Sequence, residues 1–245
     1  MEEPFEREKK RLIRQIGRNR DLRTSSLHWL TDASRYKYSY NFTWLGRPII
    51  QFPQDIVAIQ EVLWMVKPDL VIETGIAHGG SLILSASLLE LIGGDGKVLG
   101  IDREIRAHNR VAIESHPLAK RIHMIEGSST DPQVCRRVYD FARESARVCL
   151  FLDSLHTHAH VLAELEAYAP LVRKGCYIIV FDTIIEQLPE DFFPDRPWAR
   201  GNNPCTAVRE FLSANDRFEI DRELNDKLLI TSTPRGYLRC IRDPA

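Results

Sequence analysis

Between positions 153 and 160 the chain reads Asp-Ser-Leu-His-Thr-His-Ala-His, one carboxylate and three imidazoles within eight residues. Imidazole titrates near neutral pH, so His156, three residues after Asp153, is a candidate general base. His156 and His160 would share a face if a helix began there, which admits a metal reading, whereas His158 and His160 read more simply as surface residues of a helix start. Asp153 itself follows the apolar run Val148–Leu152, and three further acids stand at the ends of similar runs: Glu73, Asp102 and Asp182. Some such acids cap the helices that follow. In an open parallel sheet, ligands bind outside the carboxyl ends of the strands, so this edge is the candidate site.

The first of these acids opens the loop Glu73-Thr-Gly-Ile-Ala-His-Gly-Gly-Ser81. Gly75, Gly79 and Gly80 let backbone approach a ligand closely, and Ser81 can cap the next helix. The loop is neither G-x-G-x-x-G nor a phosphate loop, and no lysine follows it, which disfavours a nucleoside triphosphate. Asp102 lies 29 residues after Glu73 at the end of the second run, where an acid accepts hydrogen bonds from ribose hydroxyls. With the dinucleotide fingerprint broken, loop and acid together favour S-adenosylmethionine over NAD.

Short apolar runs alternate with longer amphipathic ones to position these residues. Strands are expected at 69–73, 97–102, 121–126, 148–153 and 176–182, with helices from Ser81 and over 105–114, 132–144, 160–172 and 206–214. Near-continuous apolar strands imply a parallel sheet covered on both faces. The tail holds β-prone runs at 217–221, 227–231 and 237–241, read as one or two closing strands, with a hairpin across Pro234-Arg-Gly236 as one arrangement. Residues 1–65 form a helical and aromatic extension, and 66–245 form the catalytic domain. Tyr36–Trp44 and the loop Phe192–Asn203, with the amides of Asn202 and Asn203, are a candidate substrate lid; ordinary packing or a subunit interface is the alternative.

The 245 residues are 44% hydrophobic and 27% charged with a formal net charge of −1. No global field therefore favours nucleic acid or an anionic membrane. The basic stretch from Arg7 to Arg20 is diluted by Glu2, Glu3, Glu6 and Glu8 and reads as a solvated helix face. Five separated cysteines, none in a C-x-x-C pair, argue against zinc and disulfides and for a reducing cytoplasm. No apolar run is long enough to span a bilayer.

The stretches PDLVIETGIAHGGSLILSASLLELIG, QFPQD…QEVLW, DSLHTHAHV, VFDTIIEQLP and RPWARGNNPCTAVREFL resemble the family of rhamnosyl O-methyltransferases and the so-called cephalosporin hydroxylases. The resemblance runs from about Trp44 onward. It implies the class I methyltransferase fold, Rossmann-like and mostly parallel with a terminal antiparallel element, and methyl transfer from S-adenosylmethionine to a hydroxyl of a small molecule, a sugar or glycoside above all. By position, Glu73, Gly75, Gly79 and Ser81 would surround the methionine end of the cofactor, Asp102 the ribose, and Gly127 and Ser128 the adenine, with Asp153 close by. Magnesium would sit on Asp153 and Asp182. The chain departs from the family at Phe181, which cannot ligate, leaving Glu186 as a possible substitute. An oxidoreductase using His156, His160 and Asp153 as an iron triad is the rival reading, and a non-catalytic cofactor-binding protein the second.

Overall fold

A computed structural model describes residues 3–244. Two helices, α1 (Pro4–Arg18) and α2 (Arg20–Ser34), lead to a tight hairpin, β1 (Thr43–Trp44) and β2 (Arg47–Pro48), and then to α3 (Pro53–Val66). The hairpin turns on Leu45 and Gly46, both at positive φ, the backbone geometry a two-residue loop between antiparallel strands demands. Then follow β3 (Leu70–Thr74), α4 (Gly80–Ile92), β4 (Lys97–Asp102), α5 (Ala107–Glu114), β5 (Ile122–Glu126), α6 (Pro132–Ala142), β6 (Val148–Leu152), α7 (His158–Tyr168), β7 (Tyr177–Val180), α8 (Pro204–Ala214), β8 (Phe218–Ile220), α9 (Arg222–Lys227) and β9 (Tyr237–Cys240).

Seven strands form one sheet in the order β5-β4-β3-β6-β7-β9-β8. β5, β4, β3, β6 and β7 are parallel, and β9 runs antiparallel to both β7 and β8. The order reverses between β3 and β6, so the glycine loop after β3 and the acid loop after β6 flank the crevice where ligands of such sheets bind. Every residue of β3 and β6 is buried, which is why β6 throughout and the first three residues of β3 are apolar. α3 contributes Ala58, Ile59, Val62 and Leu63 to the same core as the sheet. Among the described residues no helix is long and apolar enough to cross a membrane, and the five cysteines are free thiols.

The tail differs from expectation in one respect. Residues 227–231 form no strand, and no hairpin spans Pro234–Gly236; β9 instead inserts between β7 and β8. The physical reason is Asp55, fully buried on α3. Its carboxylate accepts from the Thr231 hydroxyl, from Ser232 N (2.8 Å) and Oγ (3.2 Å), and from the Tyr237 hydroxyl (2.9 Å), which holds this segment against α3. Burial pushes the Asp55 carboxyl up to about 6, with the four hydrogen bonds opposing the rise. Asp55→Ala would orphan several buried donors, and a loss of roughly 3 kcal/mol in urea denaturation is expected. A change below about 1 kcal/mol would contradict this role of Asp55.

Candidate active site

Glu73 is the penultimate residue of β3 and is 1% exposed. Ser81 does not cap α4, whose N-cap is Gly79; its hydroxyl donates instead to Glu73 Oε1. Glu73 Oε2 is buried and has no partner. Burial pushes the Glu73 carboxyl up to about 8, opposed by the Ser81 hydrogen bond and reinforced by the nearby Asp102 charge. A buried carboxylate oxygen without a donor is the feature a cationic ligand group would satisfy.

Asp102 closes the same loop from the end of β4. Its Oδ2 accepts from Ile76 N (2.8 Å) and Ala77 N (3.3 Å), and its Oδ1 from Glu104 N (3.2 Å). A carboxylate offers about four acceptor positions, so one remains for a ligand hydroxyl. The glycines of the loop serve contacts within the protein. A Cβ on Gly75 would meet the Asp153 carbonyl oxygen at 2.0 Å, and one on Gly79 would meet the Ile113 side chain at 2.4 Å. Arg47 donates to the His78 carbonyl oxygen (2.6 and 3.0 Å) and to Asn109 Oδ1 (3.0 Å), and Asn109 Nδ2 donates to the Ala77 carbonyl oxygen (2.8 Å). These buttresses, from the hairpin and α5, carry no periodic or motif signal in the sequence.

After β6 and β7 the chain brings Asp153, His156 and Asp182 together, each with one candidate ligand atom within 4.8 Å of the others. Asp182 adopts a left-handed backbone (φ 54°), which Asp tolerates better than most residues. His156 Nε2 lies 3.1 Å from Asp182 Oδ2. Asp153 Oδ2 accepts from Gln51 Nε2 at 3.1 Å, a partner that sequence reasoning missed. Burial, with the Asp182 and Glu73 carboxylates beside it, pushes the Asp153 carboxyl well above the usual range. Such a group of acids favours a proton or a cation in its midst.

The carboxylates of this set fit a divalent ion, since two suffice for magnesium, which prefers oxygen ligands and keeps several waters, and the His156 imidazole stands beside them as a candidate base rather than a ligand. Phe181 is buried edge-on to Phe151. Glu186 does not replace it, because its carboxylate accepts from Gly201 N (2.9 Å), Asn203 Nδ2 (2.7 Å) and Arg209 (3.1 Å). Gly127 N donates to the Asp102 carbonyl oxygen (2.8 Å), which sets it beside the carboxyl end of β4, and Ser128 Oγ contacts Thr130 Oγ1 (3.1 Å) within the following loop.

Other expected roles are corrected by the hydrogen bonding. Asn203 caps α8 through Cys205 N and Thr206 N and is fully buried, and Asn202 accepts from His158 N (3.0 Å) and donates to the Pro197 carbonyl oxygen (2.9 Å). The buried Asn203 amide is fully used within the protein, and the exposed Asn202 amide has one partner on each atom. His160 is no surface residue: its Nε2 meets Ser129 Oγ (3.2 Å), Ser154 Oγ (3.1 Å) and buried Glu164 (3.3 Å). That network separates it from His156, so the iron triad is not assembled. His158 pairs with Glu210 (3.1 Å) and Thr206 (2.8 Å). In the aromatic cluster, Trp44 Nε1 donates to Ser87 (2.9 Å), and Tyr38 packs on Trp29, Phe42 and Phe52. Tyr38 also belongs to a second apolar cluster in which Leu30 of α2 meets Ile184, Leu188, Phe192 and Phe193. The extension therefore braces the loop over His156, where Trp198 stands edge-on at 4.9 Å.

Sheet order, single reversed strand and acid-lined carboxyl edge define the class I methyltransferase fold. Residues 36–241 match the family described as rhamnosyl O-methyltransferase/CmcI. The chain is 32% identical over 202 residues to the rhamnosyl O-methyltransferase of Mycobacterium tuberculosis (strain ATCC 25618 / H37Rv), covering 80% of this chain and 77% of that protein. The protein of the same name from Mycobacterium leprae is 31% identical over 150 residues, 60% of this chain and 62% of its own. A solved structure of CmcI described as Mg-SAM superposes with a TM-score of 0.57 at 22% identity, over 82% of this chain and 77% of that one. An O-methyltransferase from Bacillus cereus in complex with SAH gives 0.52 at 18% identity, over 80% and 81%. The chain belongs to the rhamnosyl O-methyltransferase/CmcI family.

Proposed function

We propose that the chain is an S-adenosylmethionine-dependent O-methyltransferase whose acceptor is a sugar hydroxyl, as the names of its relatives suggest. The observation that carries the reading is the His156–Asp182 pair beside Asp153, at the carboxyl edge of a sheet of this family. When bound, the cofactor supplies a methyl group already activated on sulfonium. The protein must then align the acceptor oxygen and remove its proton. With Nε2 engaged by Asp182, His156 has Nδ1 left to take the proton, and Asp182 stabilises the resulting imidazolium. Asp153 and Asp182 would hold a magnesium ion, whose chemistry is to acidify a hydroxyl.

Glu73, Gly75, Gly79 and Ser81 would receive the methionine end, Asp102 the ribose, and Gly127 and Ser128 the adenine. Asp102→Ala is expected to raise the Kd for S-adenosylhomocysteine roughly 10- to 100-fold, the cost of a lost charged hydrogen bond together with a loosened loop. Unchanged affinity would remove Asp102 from the cofactor site.

Glu73 adds a pH signature. Its folded-state value is raised from 4.5 to about 8, so the apo protein holds a proton there at neutral pH. That proton lowers folding stability progressively as pH rises from about 4.5 to 8, because the unfolded chain has already released it. A ligand ammonium beside Glu73 favours the ionised form, so binding expels the proton. The affinity for S-adenosylhomocysteine should therefore increase as pH rises towards 8, with proton release visible in calorimetry across buffers of different ionisation enthalpy. Affinity flat over this range with no proton release would contradict the assignment.

The reading is tested by incubating the protein with methyl-labelled S-adenosylmethionine, magnesium and methyl α-L-rhamnopyranoside, and detecting a sugar product one methyl group heavier. Absence of transfer to this and other glycosides would overturn the sugar assignment.

A further inference from the structure

Two buried polar atoms beside the His156–Asp182 pair have no partner in the protein, and they are of opposite kind. Gln51 Oε1 is an acceptor on a side chain only 4% exposed, whose Nε2 already donates to Asp153. Trp198 Nε1–H can only donate. Its ring is fixed edge-on to the His156 imidazole at 4.9 Å, with Phe193 at 6.4 Å and the Arg196 guanidinium at 5.2 Å. Buried donors and acceptors are paired in the great majority of cases. The neighbouring polar groups of this loop obey that rule, since Glu186, Asn202 and Asn203 all have several protein partners. Gln51 reaches the cluster through Asp153 and Trp198 reaches it through His156, so acceptor and donor adjoin different members of the same reactive group.

We propose that Gln51 and Trp198 form an acceptor subsite that reads the oxygens next to the methylated one. The substrate class is then a ring polyol with a free hydroxyl vicinal to the reacting hydroxyl. Gln51 Oε1 accepts the hydrogen of a neighbouring hydroxyl, and Trp198 Nε1–H donates to a ring-substituent oxygen. This rests on the O-methyltransferase reading above and sharpens it, because a site built around a substrate hydroxyl rejects the analogue that lacks it. Both residues act on acceptor binding, leaving proton removal to His156.

Trp198→Phe deletes the N–H and keeps an aromatic ring. Gln51→Leu deletes the acceptor together with the Nε2 donor to Asp153, so its effect is read from the ratio between probes, and saturable S-adenosylhomocysteine binding shows that each variant is folded. The probes are methyl α-L-rhamnopyranoside and its monodeoxy analogues. For Trp198→Phe the KM for the parent glycoside should rise roughly tenfold or more with little change in kcat. Wild type should discriminate against the deoxy analogue lacking the vicinal hydroxyl, and Gln51→Leu should lose that discrimination. The 15N-indole signal absent from the Trp198→Phe spectrum should move when the parent glycoside is added to the S-adenosylhomocysteine complex. Methylation by wild type with the same KM in Trp198→Phe, an unmoved indole signal and no change in discrimination would overturn the subsite alone. Wild type that neither methylates any probe nor shifts its indole signal would overturn the subsite and the sugar reading together.

Discussion

His156→Ala is expected to slow methyl transfer by roughly 10²- to 10⁴-fold, the usual range for loss of a positioned general base. The Kd for S-adenosylhomocysteine should stay nearly unchanged, because no atom of His156 contacts the glycine loop or Asp102 in the bonding described above. The imidazole is oriented by Asp182 Oδ2 at 3.1 Å and enclosed by Trp198, so removing it costs the base and little of the frame. Asp182→Asn should mimic part of the loss, since the amide can hold the ring without stabilising its charged form. Wild-type-like turnover in His156→Ala would remove histidine from the mechanism and leave the two carboxylates as the only candidates for proton removal.

Gly75→Ala is expected to destabilise the protein by more than about 3 kcal/mol, because strain and steric overlap combine there. The residue has φ +90°, and its Cβ would lie 2.0 Å from the Asp153 carbonyl oxygen, which belongs to backbone and cannot swing aside. Relief would require the β3 and β6 loops to separate, so cofactor affinity should fall with stability. Gly93→Ala provides the comparison: φ is +87° and ψ 179°, a backbone region almost confined to glycine, but nothing lies within 4 Å, so only backbone strain is penalised and a cost of about 1 to 3 kcal/mol is expected. Thermal or urea denaturation of the two variants separates overlap from strain. Equal costs would show that the β3–β6 loop contact is not tight.

The sheet was legible because its central strands are buried on both faces and so appear as unbroken apolar runs; Lys97–Asp102 is a strand from end to end as read. Three of the four acids were legible for a related reason, since Asp102, Asp153 and Asp182 stand where the chain leaves the fully buried core, whereas Glu73 is itself buried and was legible only by its place before the glycine loop. Hidden features depend on contacts distant in sequence. Gln51 and Asp153 are 102 residues apart, and Asp55 and Ser232 are 177 apart, and neither pairing leaves a local pattern. The Lys227–Thr231 run has strand-like composition, yet side-chain bonds to Asp55 outweigh its propensity, an instance of tertiary context deciding the outcome. The role of Asn203 was hidden because composition shows an amide but not its partners; a Pro at the next position, typical of a helix start, was the signal that Asn203 is a cap. His160 was misread because its burial depends on Glu164 one turn later and on serines from two other loops.

The central claim is that the carboxyl edge of this sheet binds S-adenosylmethionine, and calorimetric titration with S-adenosylhomocysteine, with and without magnesium and with NAD as control, tests it most directly. Saturable micromolar binding of S-adenosylhomocysteine and no heat from NAD is the expected result. No binding of S-adenosylhomocysteine in either condition, or NAD binding of equal strength, would contradict the assignment of Glu73 and Asp102 and the methyltransferase function built on them.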